Sequence, residues 1–249
     1  MHPAWLTQRP IAHRGLHDIQ SGLVENSASA MRASIRRGFA LEVDLRLAAD
    51  GGIIVFHDET LSRLCGIEGR VKDYPLPFLE AQSLAGGPDK ILSLKSLLAL
   101  VGGLVPLFVE LKSEGARDGR LESGVATHLA AYEGPVAAMS FDPSCLLRLK
   151  QKAPHISLGI IADAKGEKGS ALAIRLRRFA SRHLLAAPFV RPDFIAYDFT
   201  ALPSPIPRLL RALGLPLLAW TVRSPAERKT ALRHADQIIF EHFDPDALA

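Results

Sequence analysis

Short apolar runs alternate along this chain with longer segments in which apolar residues recur every three to four positions. The short runs fall near residues 10–13, 40–45, 107–111, 136–140, 157–161, 194–197, 217–221 and 237–240. Helical patterns lie between them, near 26–38, 92–102, 117–132, 143–153, 169–183, 205–213 and 225–234. Strands separated by helix-length segments are the mark of parallel βαβ units, since a parallel crossover needs about a dozen residues or more. Eight such strands predict an α/β chain closed as a (β/α)8 TIM barrel. The length of 249 residues suits one barrel of about 250, so the expectation is a single domain over residues 1–249.

Local signals sharpen the boundaries. Asn26 is predicted to cap the first helix, and Gly38 to end it in the left-handed conformation. Asp142-Pro143 and Ser224-Pro225 each pair a capping residue with proline at the first helical position. The run Ile53-Ile54-Val55-Phe56-His57 follows the second strand after only four residues, too few for a parallel crossover. Asp50-Gly51 between apolar runs predicts a β-hairpin extending strand 2 instead. A two-residue loop would set Asp44 opposite His57 and put Glu42, Asp44, Arg46 and His57 on one face. Residues 59–91 carry no long periodic pattern and are read as a loop insertion over the C-terminal face of the barrel, of the kind that usually serves function.

In such a barrel, chemistry sits at the C-terminal strand ends. Those ends read His13-Arg14, Glu42 and Asp44, Glu110 and Lys112, Ser140, Tyr197-Asp198, Trp220-Thr221 and Glu241-His242. Charged groups recur where a purely structural strand would show valine or isoleucine. Glu42 and Asp44 alternate onto the same side of their strand, and Glu110 arrives from the next. Converging carboxylates repel and take up protons unless a cation holds them. An all-oxygen set suits Mg²⁺, Ca²⁺ or Mn²⁺ better than zinc. The plainer alternative pairs Glu42 and Glu110 with Arg46 and Lys112.

Nine histidines are present. His2, His17, His128, His155, His183 and His234 are read as surface or satisfied core residues. His13 and His57 differ, because the proposed topology brings both beside the carboxylates, where two imidazoles can serve as general acid and base. Arg14 offers a planar fork for phosphate oxygens and Lys112 a point charge. Together these groups describe metal-assisted phosphodiester chemistry. The chain has no GxSxG, HExxH, GxGxxG or GxxxxGK[ST] motif, so a serine hydrolase, zincin, dinucleotide enzyme or P-loop NTPase is unsupported.

Composition agrees. Apolar residues make up 48% and charged residues 22%, as in an ordinary globular protein. Cys65 and Cys145 form no CxxC or Cys/His cluster and suit a reducing compartment. The first residues lack the basic region and apolar run of a signal peptide, and no stretch approaches the ~20 apolar residues of a membrane span. A cytoplasmic protein without stable membrane insertion is therefore expected. The formal charge of +4 includes Arg175, Arg177, Arg178 and Arg182, read as a solvated helix face. Aromatic residues are too few, and too little interleaved with basic ones, for a nucleic-acid partner.

At these residues the sequence resembles the glycerophosphodiester phosphodiesterase family. The matching motifs are His13-Arg14-Gly15, Glu25-Asn26-Ser27, Glu42-Val43-Asp44, Asp50-Gly51 leading to Val55-Phe56-His57-Asp58, Val109-Glu110-Leu111-Lys112, Ser140-Phe141 and Trp220-Thr221-Val222. They occur in the family's order from residue 11 to about residue 222. The resemblance implies hydrolysis of small-molecule glycerophosphodiesters to sn-glycerol 3-phosphate and an alcohol. It implies Ca²⁺ or Mg²⁺ on Glu42, Asp44 and Glu110, acid–base catalysis by His13 and His57, phosphate binding by Arg14 and Lys112, and Trp220 lining the alcohol or glycerol pocket.

Two stretches depart from the family pattern: Leu61-Ser62-Arg63-Leu64, and Phe240-Glu241-His242-Phe243. Neither replaces a proposed ligand or acid–base residue, and both bear on substrate choice. The alternatives are a phospholipase-type barrel, with Leu61, Leu64, Leu76, Phe78 and Leu79 as a lipid-facing rim in place of the simpler reading that they pack on the barrel top, and a non-catalytic binding barrel.

Overall fold

The structure, a computed structural model, describes residues 2–113, 118–163, 176 and 179–248. Its strands are β1 (Ile11–Ala12), β2 (Ala40–Leu47), β3 (Ile53–Val55), β4 (Leu92–Ser93), β5 (Leu107–Leu111), β6 (Val136–Ser140), β7 (Ser157–Ala162), β8 (Phe194–Asp198), β9 (Leu217–Val222) and β10 (Gln237–Phe240). β1, β2 and β5 through β10 pair in parallel, and β1 meets both β2 and β10. The parallel sheet therefore closes on itself, as the alternation of strand and helix patterns requires. Helices Ala28–Arg37, Leu94–Val101, Arg120–Leu129, Pro143–Lys152, Pro205–Ala212 and Pro225–Ala231 fill the crossovers. Much of the helix expected over 169–183, including Arg175, Arg177 and Arg178, lies outside the described residues. No helix among the described residues is long and apolar enough to cross a membrane.

Alternation along each strand sorts the side chains. On β2, Leu41, Val43 and Leu45 join the core between barrel and helices, as Leu107, Val109 and Leu111 do on β5. Ala40 and Phe108 face the barrel interior with Ile11, Ala137, Met139, Ile161, Phe194, Ala196, Leu218 and Ile239. The next inward positions up the same strands are Glu42, Asp44 and Glu110. Apolar residues thus fill the lower barrel, and the carboxylates form its upper layers by period two alone.

Two local expectations are corrected. Ser27, not Asn26, caps the first helix by accepting from Ala30 N. Asn26 instead adopts φ 57°, and its side-chain amide donates to Asp44 Oδ2 at 2.9 Å. Gly38 ends the helix left-handed, as expected. The hairpin is the second correction. β3 pairs antiparallel with β2, but through Leu45–Val55, Arg46–Ile54 and Leu47–Ile53. Phe56 N donates to Asp44 O at 2.9 Å, so Phe56 rather than His57 stands opposite Asp44. The cause is the turn: Gly51 N donates to Ala48 O and Ala48 N to Gly52 O, while Gly51 takes φ 91°. This is a three-residue loop with a left-handed glycine, one residue longer than the two-residue turn.

The segment 59–91 is folded rather than a bare loop. Helices Ser62–Cys65 and Leu76–Ala81 and strand β4 lie in or beside it. Leu61, Leu64, Val71, Leu79, Leu84 and Ile91 form a core of their own with Ile54 and Phe56. Of the proposed lipid-facing residues, Leu61, Leu64 and Leu79 are therefore buried.

Candidate active site

The strand ends bring the predicted residues to one cavity of about 290 Å³, lined by His13, Arg14, Glu42, His57, Glu110, Lys112, Phe141, Trp220 and Arg223, among others. Asp44, beside them, is fully buried. Glu42, Asp44 and Glu110 present oxygens that all fall within 4.8 Å of one another. The β2–β5 register sets Asp44 directly beside Glu110.

The cluster is partly neutralised by cations. Lys112 Nζ lies 2.5 Å from Glu110 Oε1 and 3.0 Å from Asp44 Oδ1. Arg14 Nε lies 3.3 Å from Asp44 Oδ2, and its Nη1 donates to Glu25 Oε1 at 2.7 Å. Arg14 also donates its backbone N–H to Glu42 Oε2 at 2.9 Å. That bond depends on the turn at Arg14-Gly15, where both residues have positive φ. A Cβ on Gly15 would come within 3.0 Å of Ala30, so the turn also needs a residue without a side chain. Arg46 Nε donates to His57 O at 2.7 Å.

Burial raises the Glu42 carboxyl well above its ordinary pKa, with Asp44 and Glu110 adding to the effect. Burial also raises Glu110, although Lys112 opposes it. Asp44 goes the other way. Burial pushes it up, but Lys112, Arg14, His57 and His13 together hold it well below the usual carboxylate range. Glu42 Oε1 is buried with no hydrogen-bond partner among the described residues, and an unpaired buried polar atom costs about 1–3 kcal/mol, more when charged. The orphaned Glu42 oxygen, two proton-favouring carboxyls and an all-oxygen donor set fit a hard divalent cation. The cluster is thus able to hold one.

Both histidines are held from behind by carboxylates. His13 Nδ1 lies 2.6 Å from Glu241 Oε2, and His57 Nδ1 lies 2.8 Å from Asp58 Oδ1. His13 Nε2 is 3.9 Å from Glu42 Oε2. Burial lowers the pKa of each imidazole, against the raising effect of Glu241 on His13 and of Asp44 on His57. Asp58 is in turn gripped by Arg63, through Nε at 2.5 Å and Nη2 at 3.0 Å. The same guanidinium makes two 2.8 Å bonds to Glu25.

Sequence reasoning missed this supporting layer of Glu241, Asp58, Arg63, Glu25 and Asn26. Glu241 was visible as a charged strand end, and Asp58 as a neighbour of His57, but neither had a stated role. The two stretches that depart from the family pattern do reach the two candidate histidines: Glu241 touches His13, and Arg63 holds the carboxylate behind His57. His17, expected to be a surface or core residue, sits with its Nε2 3.6 Å from Glu241 Oε2.

The relatives of this chain place it in the phosphodiesterase class of hydrolases. More specifically, the chain belongs to the glycerophosphoryl diester phosphodiesterase family, whose model matches residues 13–245. It is 28% identical over 182 residues to a glycerophosphodiester phosphodiesterase of Caldanaerobacter subterraneus, covering 68% of this chain and 73% of that one. It is 26% identical to one from Bacillus subtilis, covering 95% and 83%. Among solved structures, a phosphodiesterase of Oleispira antarctica in complex with the product sn-glycerol-3-phosphate superposes with a TM-score of 0.73 at 22% identity, covering 95% and 93%. A putative glycerophosphodiester phosphodiesterase from Galdieria sulphuraria gives 0.74 at 21%, covering 94% and 92%.

Proposed function

We propose that this chain hydrolyses glycerophosphodiesters to sn-glycerol 3-phosphate and an alcohol. The supporting observation is the pairing of His13–Glu241 with His57–Asp58 around one cavity above the Glu42, Asp44 and Glu110 cluster. A carboxylate on Nδ1 fixes ring orientation and tautomer and leaves Nε2 to exchange a proton with substrate. One imidazole takes the proton of the attacking oxygen, and the other protonates the departing alcohol oxygen.

Glu42, Asp44 and Glu110 would hold a divalent cation, Mg²⁺ or Ca²⁺ by donor type, which supplies Lewis-acid charge neutralisation when bound. Arg14 and Lys112 contribute positive charge beside the same cluster, suited to the phosphodiester oxygens. Trp220 and Phe141 pack edge to face at 5.5 Å and form an apolar wall for the carbon skeleton. Trp220 Nε1 has no hydrogen-bond partner among the described residues and is a donor available to a substrate oxygen. Burial of Leu61, Leu64 and Leu79 removes most of the lipid-facing rim, which favours a deacylated substrate over an intact phospholipid. Two free cysteines suit a reducing, cytoplasmic setting.

The test is turnover of glycerophosphocholine, glycerophosphoethanolamine and lysophosphatidylcholine after EDTA treatment, then with Mg²⁺, Ca²⁺ or Mn²⁺ restored. Metal-dependent release of sn-glycerol 3-phosphate from the first two supports the assignment. Activity on lysophosphatidylcholine alone would transfer it to the phospholipase reading.

A further inference from the structure

We propose that His17 Nε2, His13 Nδ1 and Glu241 Oε2 form a second cation site, selective for a zinc-class divalent ion, whose occupation inhibits hydrolysis. The donor atoms of these three residues lie within 4.8 Å of one another. Glu241 Oε2 is 2.6 Å from His13 Nδ1 and 3.6 Å from His17 Nε2. Zinc bonded at about 2.0–2.1 Å in a tetrahedron spaces its donors by about 3.3 Å. The two observed separations bracket that value, so small shifts of the side chains convert the cluster into a coordination shell.

Three further observations favour an ion here over a simple hydrogen-bonded group. His17 Nε2 is buried and has no hydrogen-bond partner among the described residues. Its ring is braced edge to face on His242, with centroids 5.2 Å apart. Arg223 Nε donates to Glu241 Oε1 at 2.7 Å, which occupies the far oxygen and leaves Oε2 facing both imidazoles. A set of two histidines and one carboxylate with an open position is a zinc arrangement. The neighbouring Glu42, Asp44 and Glu110 are all-oxygen and prefer harder ions. The two clusters would therefore sort cations by ligand chemistry, although they share one rim.

An ion on His13 Nδ1 takes the place of the proton between that atom and Glu241, and it withdraws the ring from acid–base exchange at Nε2. The inhibitory consequence rests on the role proposed above for His13; the binding does not. Two readouts on the full chain keep them apart. Activity of the Mg²⁺-loaded protein is measured against buffered free Zn²⁺ at saturating Mg²⁺. In parallel, Co²⁺ is titrated and its visible ligand-field absorption followed, a signal that four-coordinate nitrogen-containing sites intensify. His17→Gln removes the donor geometry, and His17→Phe keeps a ring against His242 should the first variant fold poorly.

The wild-type chain is expected to be inhibited by Zn²⁺. The variants should retain basal activity and need about tenfold more Zn²⁺ or higher, since even supporting residues change metal affinity on that scale. The Co²⁺ band should be present in the wild type and absent from the variants. Equal zinc sensitivity in wild type and variants, or inhibition fully reversed by added Mg²⁺, would overturn the inhibition, because the ion would then be acting at the carboxylate cluster. A Co²⁺ band unchanged by His17 substitution, or no band in any protein, would overturn the site itself, whether or not glycerophosphodiesters are hydrolysed.

Discussion

His13 Nδ1 lies 2.6 Å from Glu241 Oε2, so the carboxylate that follows the last barrel strand orients the imidazole that follows the first. Closure of the barrel makes this contact possible, because β1 and β10 are neighbours although 228 positions separate the two residues. Glu241→Gln should leave His13 in place but deprive its ring of an anionic partner. Glu241 raises the His13 pKa against the lowering effect of burial, so its neutralisation lets that pKa fall further. The limb of the pH profile of kcat/KM due to His13 should move to lower pH, with kcat down about 10–100-fold, less than the largest effects of losing an acid or base outright. An unmoved profile would reduce Glu241 to a packing role.

Removal of either imidazole is the more direct test. His13→Ala and His57→Ala should each lower kcat by about a hundredfold or more, with unfolding midpoints close to wild type. A near-normal rate in one variant would strike that residue from the mechanism.

Metal binding should depend on pH in a defined direction. The Glu42 carboxyl holds its proton to higher pH than usual because burial and the neighbouring carboxylates disfavour its charge. Protons therefore compete with the cation, and affinity measured by titration calorimetry should weaken as pH falls. Added metal should raise the melting temperature, by an amount equivalent to about 2.7 kcal/mol at a hundred times Kd. Glu42→Gln should flatten both responses. An unchanged titration in that variant would end the ligand assignment.

Acid stability should register the Asp58 clasp. Burial raises the Asp58 carboxyl, but hydrogen bonds from Arg63 and His57 outweigh it and bring the pKa down to about 2 from an ordinary 3.8. A depressed carboxylate stabilises the fold above its unfolded pKa and loses that contribution as pH falls through the folded one. In urea unfolding, Asp58→Asn should therefore be weaker than wild type at pH 5, and the gap should close between about pH 4 and pH 2. A constant gap across this range would refute the clasp as its source.

What could be read from the chain beforehand follows a physical boundary. Strand and helix periods place the eight barrel strands, and period two on β2 and β5 puts Glu42, Asp44 and Glu110 inward. Residues joined by regular geometry were thus accessible. The turn at Asp50-Gly51 was not, because one left-handed glycine changes the loop by a residue and moves Phe56 into the place expected for His57. Nor was the exchange of roles between Asn26 and Ser27, where the second residue capped the helix and freed the first for Asp44. Glu25 and Arg63 meet across 38 positions through the packing of an irregular segment, which no periodicity encodes.

His57 stands beyond the end of its short strand with its ring held through Asp58, and Arg63 of the 59–91 segment grips both Asp58 and Glu25. The barrel and its excursion therefore cannot be exchanged as independent parts. A chimera carrying a foreign segment in place of 59–91 would inherit an intact acidic floor beneath a misdirected imidazole, unless the transplant also brought a cation to the position of Arg63.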